Sequence, residues 1–220
     1  MRISLVISGD KFDALESCPK QCSEHTPWFE AKHGDVKRVD GVLQLIVRGQ
    51  ELIRRRDGEE YKWLPNDLVP VKWGKRQYLV AREQGIAFCN AVNRGKEPRD
   101  SEYGDFALGE GQEEMPVAGG PEIPEQWSQY LLKDPVQGEV TELLPDMKAK
   151  VNVGRKQGLR VGMELVATEV EYIRMEIVSI DERESVVRIV QGMGAHRATR
   201  VGDLVSTGRP PFKVKFQRNP

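Results

Sequence analysis

From Gln137 onward the chain repeats one pattern, a short apolar run alternating with polar residues and closed by a turn signal. Six such runs read as strands: "GEVTEL", "KAKVNVG", "MELVATEV", "YIRMEIVSID", "SVVRIVQG" and "DLVSTG". Strands this short, spaced roughly 8–15 residues apart, predict a small barrel or sandwich. Two of them are introduced by the same tripeptide. Arg160-Val161-Gly162 precedes one and Arg200-Val201-Gly202 another, and each run ends in Thr. We expect both to be tight turns that deliver a strand of one barrel, with glycine supplying positive φ.

The first half is less regular. Residues 1–35 show weak periodicity and are read as irregular. "VLQLIVRG" (42–49) is a strand, and "ELIRRRDGEEYKWL" reads as a hairpin turning at Asp57-Gly58, the preferred pair for a two-residue type I′ turn. "LVPVKWGKRQYLVA" (68–81) predicts a second hairpin turning at Gly74-Lys75. In "REQGIAFCNAVNRG" (82–95) the period lengthens, with Ile86, Cys89 and Val92 three apart and Phe88 beside them. This predicts an amphipathic helix of about three turns. Residues 96–121 are rich in Gly, Pro and Glu and read as a long loop or linker. "PEIPEQWSQYLLKDP" (121–135) reads as a short helix that Asp134-Pro135 ends.

The predicted fold is therefore mainly β (α+β). An N-terminal antiparallel sheet with one or two helices spans 1–108, a linker with a short helix 109–135, a small β-barrel 136–208, and a tail or extra strand, "FKVKF", 209–220.

Composition narrows the function classes. The 220 residues carry 33 basic and 34 acidic side chains, so net charge gives no general attraction to nucleic acid or anionic lipid. No stretch reaches the roughly 18–20 apolar residues that span a bilayer. The start, "MRISLVISGDKFDALESC", reads as a cytoplasmic N-terminus, with an exported protein as the alternative if the start or the signal is misassigned. Three cysteines do not make a disulfide framework.

"VNVGRKQGLRVGMELVATEV", then "EIVSIDERESVVRIV" and "VGDLVSTG", resembles the small β-barrel that ends the bacterial flagellar assembly protein T and related envelope proteins. The resemblance covers about 70 residues and rests on turn glycines and apolar alternation, so it implies a fold and an envelope setting. "LVPVKWGKRQYLVAREQGIAFCNAVNRGKEPRD" resembles part of an uncharacterised bacterial family, to which no activity attaches.

Four groups of side chains could carry chemistry. Cys18, Cys22, His25 and His33 are ligand types suited to tetrahedral zinc, but their spacing is not that of a finger, and we read a surface loop. Arg54, Arg55 and Arg56, with Lys72, Lys75, Arg76, Tyr61, Trp63 and Trp73, have the ingredients of a nucleic-acid surface. We expect Glu59 and Glu60 to neutralise Arg56 and Arg55 across the hairpin instead. Cys89 reads as a small core residue of its helix, and His196 as an exposed turn residue. Asn93, Arg94, Glu97, Arg99, Asp100 and Glu102 share one polar loop region. No catalytic motif, metal or cofactor is assigned. The reading is a non-enzymatic protein-interaction or scaffolding protein, bacterial envelope-associated, with protein as its partner and an unknown oligomeric state. The alternative is an RNA- or DNA-binding protein using the barrel or the Arg54–Arg56 hairpin. A hydrolase with an unrecognised site is a weaker third.

Overall fold

The computed structural model of the chain describes residues 2–18, 28–53, 64–95, 107–108, 112, 115–168, 173–191 and 198–208. The protein is mainly β. Among the described residues, seven strands form one antiparallel sheet in chain order and six form a closed barrel. Contacts divide the chain into two units, residues 1–84 with 105–122, and residues 85–104 with 123–220.

The first unit holds β1 (Arg2–Ser8), β2 (Lys11–Cys18), β3 (Trp28–Val39), β4 (Val42–Ile53), β5 (Asp67–Trp73), β6 (Arg76–Ala81) and β7 (Ala107–Leu108). For the described residues 2–18 and 28–35 the expectation of irregular structure is thereby corrected. Gly9, with φ of +62°, opens a two-residue turn between β1 and β2, as glycine does at the first central position of type II′. The register then runs unbroken from Ser8 opposite Lys11 to Arg2 opposite Ser17. Phe12, Ala14, Val36, Leu43, Leu45, Leu64 and Leu68 form the core of this face, with Leu5, Ile7 and Leu79 packed against it. β5 and β6 make the expected hairpin, turning at Gly74-Lys75. The hairpin expected at Asp57-Gly58 lies outside the described residues, as does the tail strand.

The segment read as linker is partly tied down. The Glu122 N–H donates to the Lys72 carbonyl at 2.7 Å, the Trp73 indole N–H to the Gly119 carbonyl at 2.8 Å, and the Arg76 guanidinium to the Met115 carbonyl. The segment that is free of hydrophobic periodicity still borders β5 and β6, because backbone carbonyls need no apolar side chain to be bonded.

The second unit holds α1 (Gly85–Asn93), α2 (Glu125–Ser128), and β8 (Gln137–Leu144), β9 (Lys148–Val151), β10 (Glu164–Ala167), β11 (Ile173–Ile180), β12 (Ser185–Gln191) and β13 (Leu204–Ser206). All six strands expected from the pattern are present, in the closed order β10-β11-β12-β9-β8-β13. Inward positions supply Val140, Ala149, Val151, Leu159, Met163, Leu165, Met175, Ile177, Val187 and Val205, all fully buried. The barrel interior is filled by side chains, as expected at this strand number.

The repeated tripeptide is a repeated turn. Met163 N–H donates to the Arg160 carbonyl and Asp203 N–H to the Arg200 carbonyl, both at 3.2 Å. Gly162 has φ of +86° and Gly202 of +91°. An i→i+3 bond with positive φ at the third residue is a type II turn, which only glycine adopts freely. Each glycine N–H is taken by the neighbouring strand, Gly162 by the Ile177 carbonyl and Gly202 by the Val140 carbonyl, both at 2.8 Å. The strands delivered, β10 and β13, pair with one another.

α1 belongs to this second unit and not to the sheet that precedes it in sequence. The Asn90 amide donates to the Gly162 carbonyl at 3.0 Å and accepts from the Glu164 N–H at 3.2 Å. Arg94, 3% exposed, pairs with Glu164 at 3.0 Å. The helix is placed as the spacing predicts; Phe88 and Cys89 are buried together with Gly85, Asn90 and Ala91, while Ile86 and Val92 are half-buried.

Candidate functional site

The second unit carries an open groove of about 610 Å³ beside the barrel. Its lining mixes apolar Leu131, Leu132, Pro135 and Val136 with Gln129, Lys133, Asp134, Gln137, Gln157 and Arg160. One wall follows α2. Pro124 precedes the single turn of α2, and the Ser128 hydroxyl bonds back to the Glu125 carbonyl at 2.6 Å. The helix ends at Ser128, well before Asp134-Pro135, which corrects the expectation that this pair ends it. The chain leaves α2 through a turn at Gln129-Tyr130 and a bend at Lys133-Asp134.

Two side chains, from Asn93 and Thr207, hold the two ends of that piece. The Asn93 amide donates to the Tyr130 carbonyl at 2.8 Å and accepts from the Leu132 N–H at 2.9 Å. Thr207 receives the Val136 N–H on its hydroxyl at 2.9 Å and returns its own N–H to the Val136 carbonyl at 3.0 Å. Leu132 and Val136 pack on the barrel core with one side and line the groove with the other.

The opposite wall is the 3₁₀ turn Arg155–Gln157, ended by Gly158 in the left-handed region at φ +84°. Gln157 folds back so that its side-chain oxygen accepts the Gly154 N–H at 2.9 Å. The Arg160 guanidinium donates to the Leu159 carbonyl at 3.3 Å. The groove thus brings apolar side chains and hydrogen-bonding groups together between two fixed segments.

The residues singled out from sequence fall elsewhere. Cys18 ends β2 opposite Trp28, while His33 stands opposite Asp13. Five strand residues separate these positions, about 17 Å at 3.3 Å per residue, so Cys18 and His33 do not share a site. The exposed His33 ring lies across the backbone of Gly49, where any side chain at 49 would collide with it. Cys22, His25, Arg54, Arg55, Arg56, Tyr61, Trp63, Glu97, Arg99, Asp100, Glu102 and His196 lie outside the described residues.

Lys72 pairs with Glu122 at 3.4 Å, Lys75 is exposed on its turn, and Arg76 is buried with its guanidinium turned to the Met115 carbonyl. Cys89 is fully buried, and burial pushes its thiol up to about 12, where the reactive thiolate is not formed at neutral pH. Of the loop residues, Asn93 takes part in the groove as its clamp. Arg94 and the unforeseen Asn90 serve the docking of α1. Asn90 escaped the sequence reading because a polar residue on an otherwise apolar helix face carries no period signal.

Comparison with family models, with curated proteins and with solved structures finds no match to this chain.

Proposed function

We propose that the protein is a non-enzymatic interaction module, and that the groove between the Gln129–Gln137 segment and the Arg155–Arg160 turn is its docking surface. The observation that carries this reading is the groove's construction. Two clamps, from Asn93 and Thr207, hold a bent segment whose Leu131, Leu132 and Val136 side chains help to line an open trough. A partner of matching chemistry presents an aliphatic side chain to Leu131 and Val136 and hydrogen-bond acceptors to Gln157 and Arg160. The resemblance of the barrel to that of flagellar assembly protein T makes a bacterial envelope protein the natural class of partner, and a scaffolding role the natural use.

Affinity capture from the source cell with wild-type protein and with Leu131→Glu tests the reading. A protein retained by the wild type and lost with the variant supports it. Identical captured sets, or nucleic acid as the main captured species by absorbance at 260 nm, would end it and promote the nucleic-acid alternative.

A further inference from the structure

We infer that β1 is a self-pairing edge, and that two copies of this chain join antiparallel through their first strands.

The first observation is which backbone groups β1 leaves open. Ser8 and Lys11 flank a two-residue turn, so they form a hydrogen-bonded pair, and such pairs recur at every second residue. Ser8, Val6 and Ser4 therefore exchange bonds with β2. Ile3, Leu5 and Ile7 direct their N–H and C=O groups to the other side. Among the described residues no strand lies there, since β1 is the end of the sheet order.

The second observation is that the charge of this edge strand is confined to its first residue, Arg2. Exposed edges are normally blunted by Lys, Pro, a bulge or short length. β1 is seven residues long, runs in unbroken register, and from Ile3 to Ser8 contains neither a charge nor a proline. Val6 is also 61% exposed, a high value for a valine within a strand.

The partner follows from charge and closure. Only an extended strand satisfies a row of outward donors and acceptors. In a two-fold antiparallel pair centred on Leu5, Leu5 meets its own counterpart, Ile3 stands opposite Ile7, Ser4 opposite Val6, and Arg2 opposite Ser8. No like charges meet, which is the usual obstacle to a strand pairing with itself. An isologous contact of this kind closes at a dimer.

Sedimentation equilibrium of the full chain over about 1–100 µM, combined with amide exchange, tests this. The expected result is a dimer in which the Leu5 and Ile7 amides are protected at high concentration and exchange faster on dilution, while the Val6 amide does not change. Val6→Lys, on an exposed face, should weaken the dimer at least about tenfold with an unchanged circular dichroism spectrum. A monomer throughout overturns the proposal. So does a dimer in which the Leu5 and Ile7 amides exchange freely, or protection of those amides that is independent of concentration, which would mean that the chain covers its own edge. Because the exchange readout uses wild-type protein, misfolding of the variant does not shield the idea.

Discussion

The two β units solve the same problem differently. The barrel gives every strand two neighbours, and its core cluster is apolar, from Val140 to Val205, with the buried Ser185 hydroxyl bonded to the Val153 carbonyl. Among the described residues the sheet ends at β1, and β3 sends polar residues to the inner side. Glu30 is 1% exposed and takes the Gln50 amide at 2.8 Å and the Lys32 ammonium at 3.1 Å. Closure allows no polar group inside unless it finds a partner within the barrel. The sheet places this cluster on β3 and β4, toward the ends of those strands, where Lys32 keeps part of its surface in water. The comparison teaches that the barrel's stability is a matter of packing and turn geometry, whereas the sheet also depends on what meets its margin.

The largest effect should come from the barrel interior. Leu165→Ala removes a fully buried side chain from a site ringed by strands that cannot collapse inward independently. A loss of about 2–5 kcal/mol is expected, read by urea denaturation. A loss below about 1 kcal/mol would mean that the barrel is loosely packed, and the contrast with the sheet would lapse.

Next are the twin turns, which separate strain from contact. Gly162→Val and Gly202→Val both force a β-branched residue into left-handed φ, about 1–3 kcal/mol each. At 162 the new Cβ would also meet Ile86 side-chain atoms at 3.3 and 3.4 Å, whereas at 202 the nearest atom is a Glu139 carboxylate oxygen at 3.9 Å. Gly162→Val should therefore be the more damaging of the two. Equal losses would show that backbone strain alone sets the effect.

This difference between units also governed what the sequence revealed. The barrel strands were legible because inward residues such as Leu165, Met175, Ile177 and Val187 alternate with polar ones, and glycines mark the turns. β3 was hidden because its inner face reads Glu30, Lys32, Gly34, Val36, with only one large apolar residue. β2 contributes Phe12 and the small Ala14, a weak signal, and the run Leu5-Val6-Ile7 in β1 shows no alternation at all. The groove was not legible either. It depends on Asn93 and Thr207 reaching a segment far away in sequence, and no local pattern encodes that. The placement of α1 with the barrel rests on Asn90 and Arg94, polar residues that a hydrophobic reading assigns to the surface.

A smaller effect should follow pH through Cys89. Its thiol is raised from about 9.0 to about 12 by burial, so the folded state favours the protonated form. That contribution is fully present below the ordinary thiol range and is lost as pH rises from about 9 toward 12, because the unfolded chain ionises first. Stability of the wild type should thus fall over that window more than that of Cys89→Ala, and iodoacetamide should label Cys89 at pH 8 only after denaturation. Labelling of the native protein at the rate of a free thiol would contradict the burial on which the α1 contact rests.

The smallest effect belongs to the sheet's solvent face. Asp35 is bonded by the Lys11 ammonium and by the Arg48 guanidinium at 2.7 Å, and these hydrogen bonds, Lys11 first, hold its carboxyl below the usual range. A depressed carboxyl contributes stability above its unfolded pKa, and that contribution disappears as pH falls through the folded value. The group lies in water, so screening should remove most of its worth. Carbon-13 titration of the Asp35 carboxyl should give a midpoint below that of an ordinary aspartate at low salt, moving toward it in 1 M salt, where the Debye length is about 3 Å. Asp35→Asn should leave the urea midpoint at pH 7 nearly unchanged. A large drop would mean that the open sheet relies on surface charge where the barrel relies on packing, and the contrast between the units would be deeper than their cores alone imply.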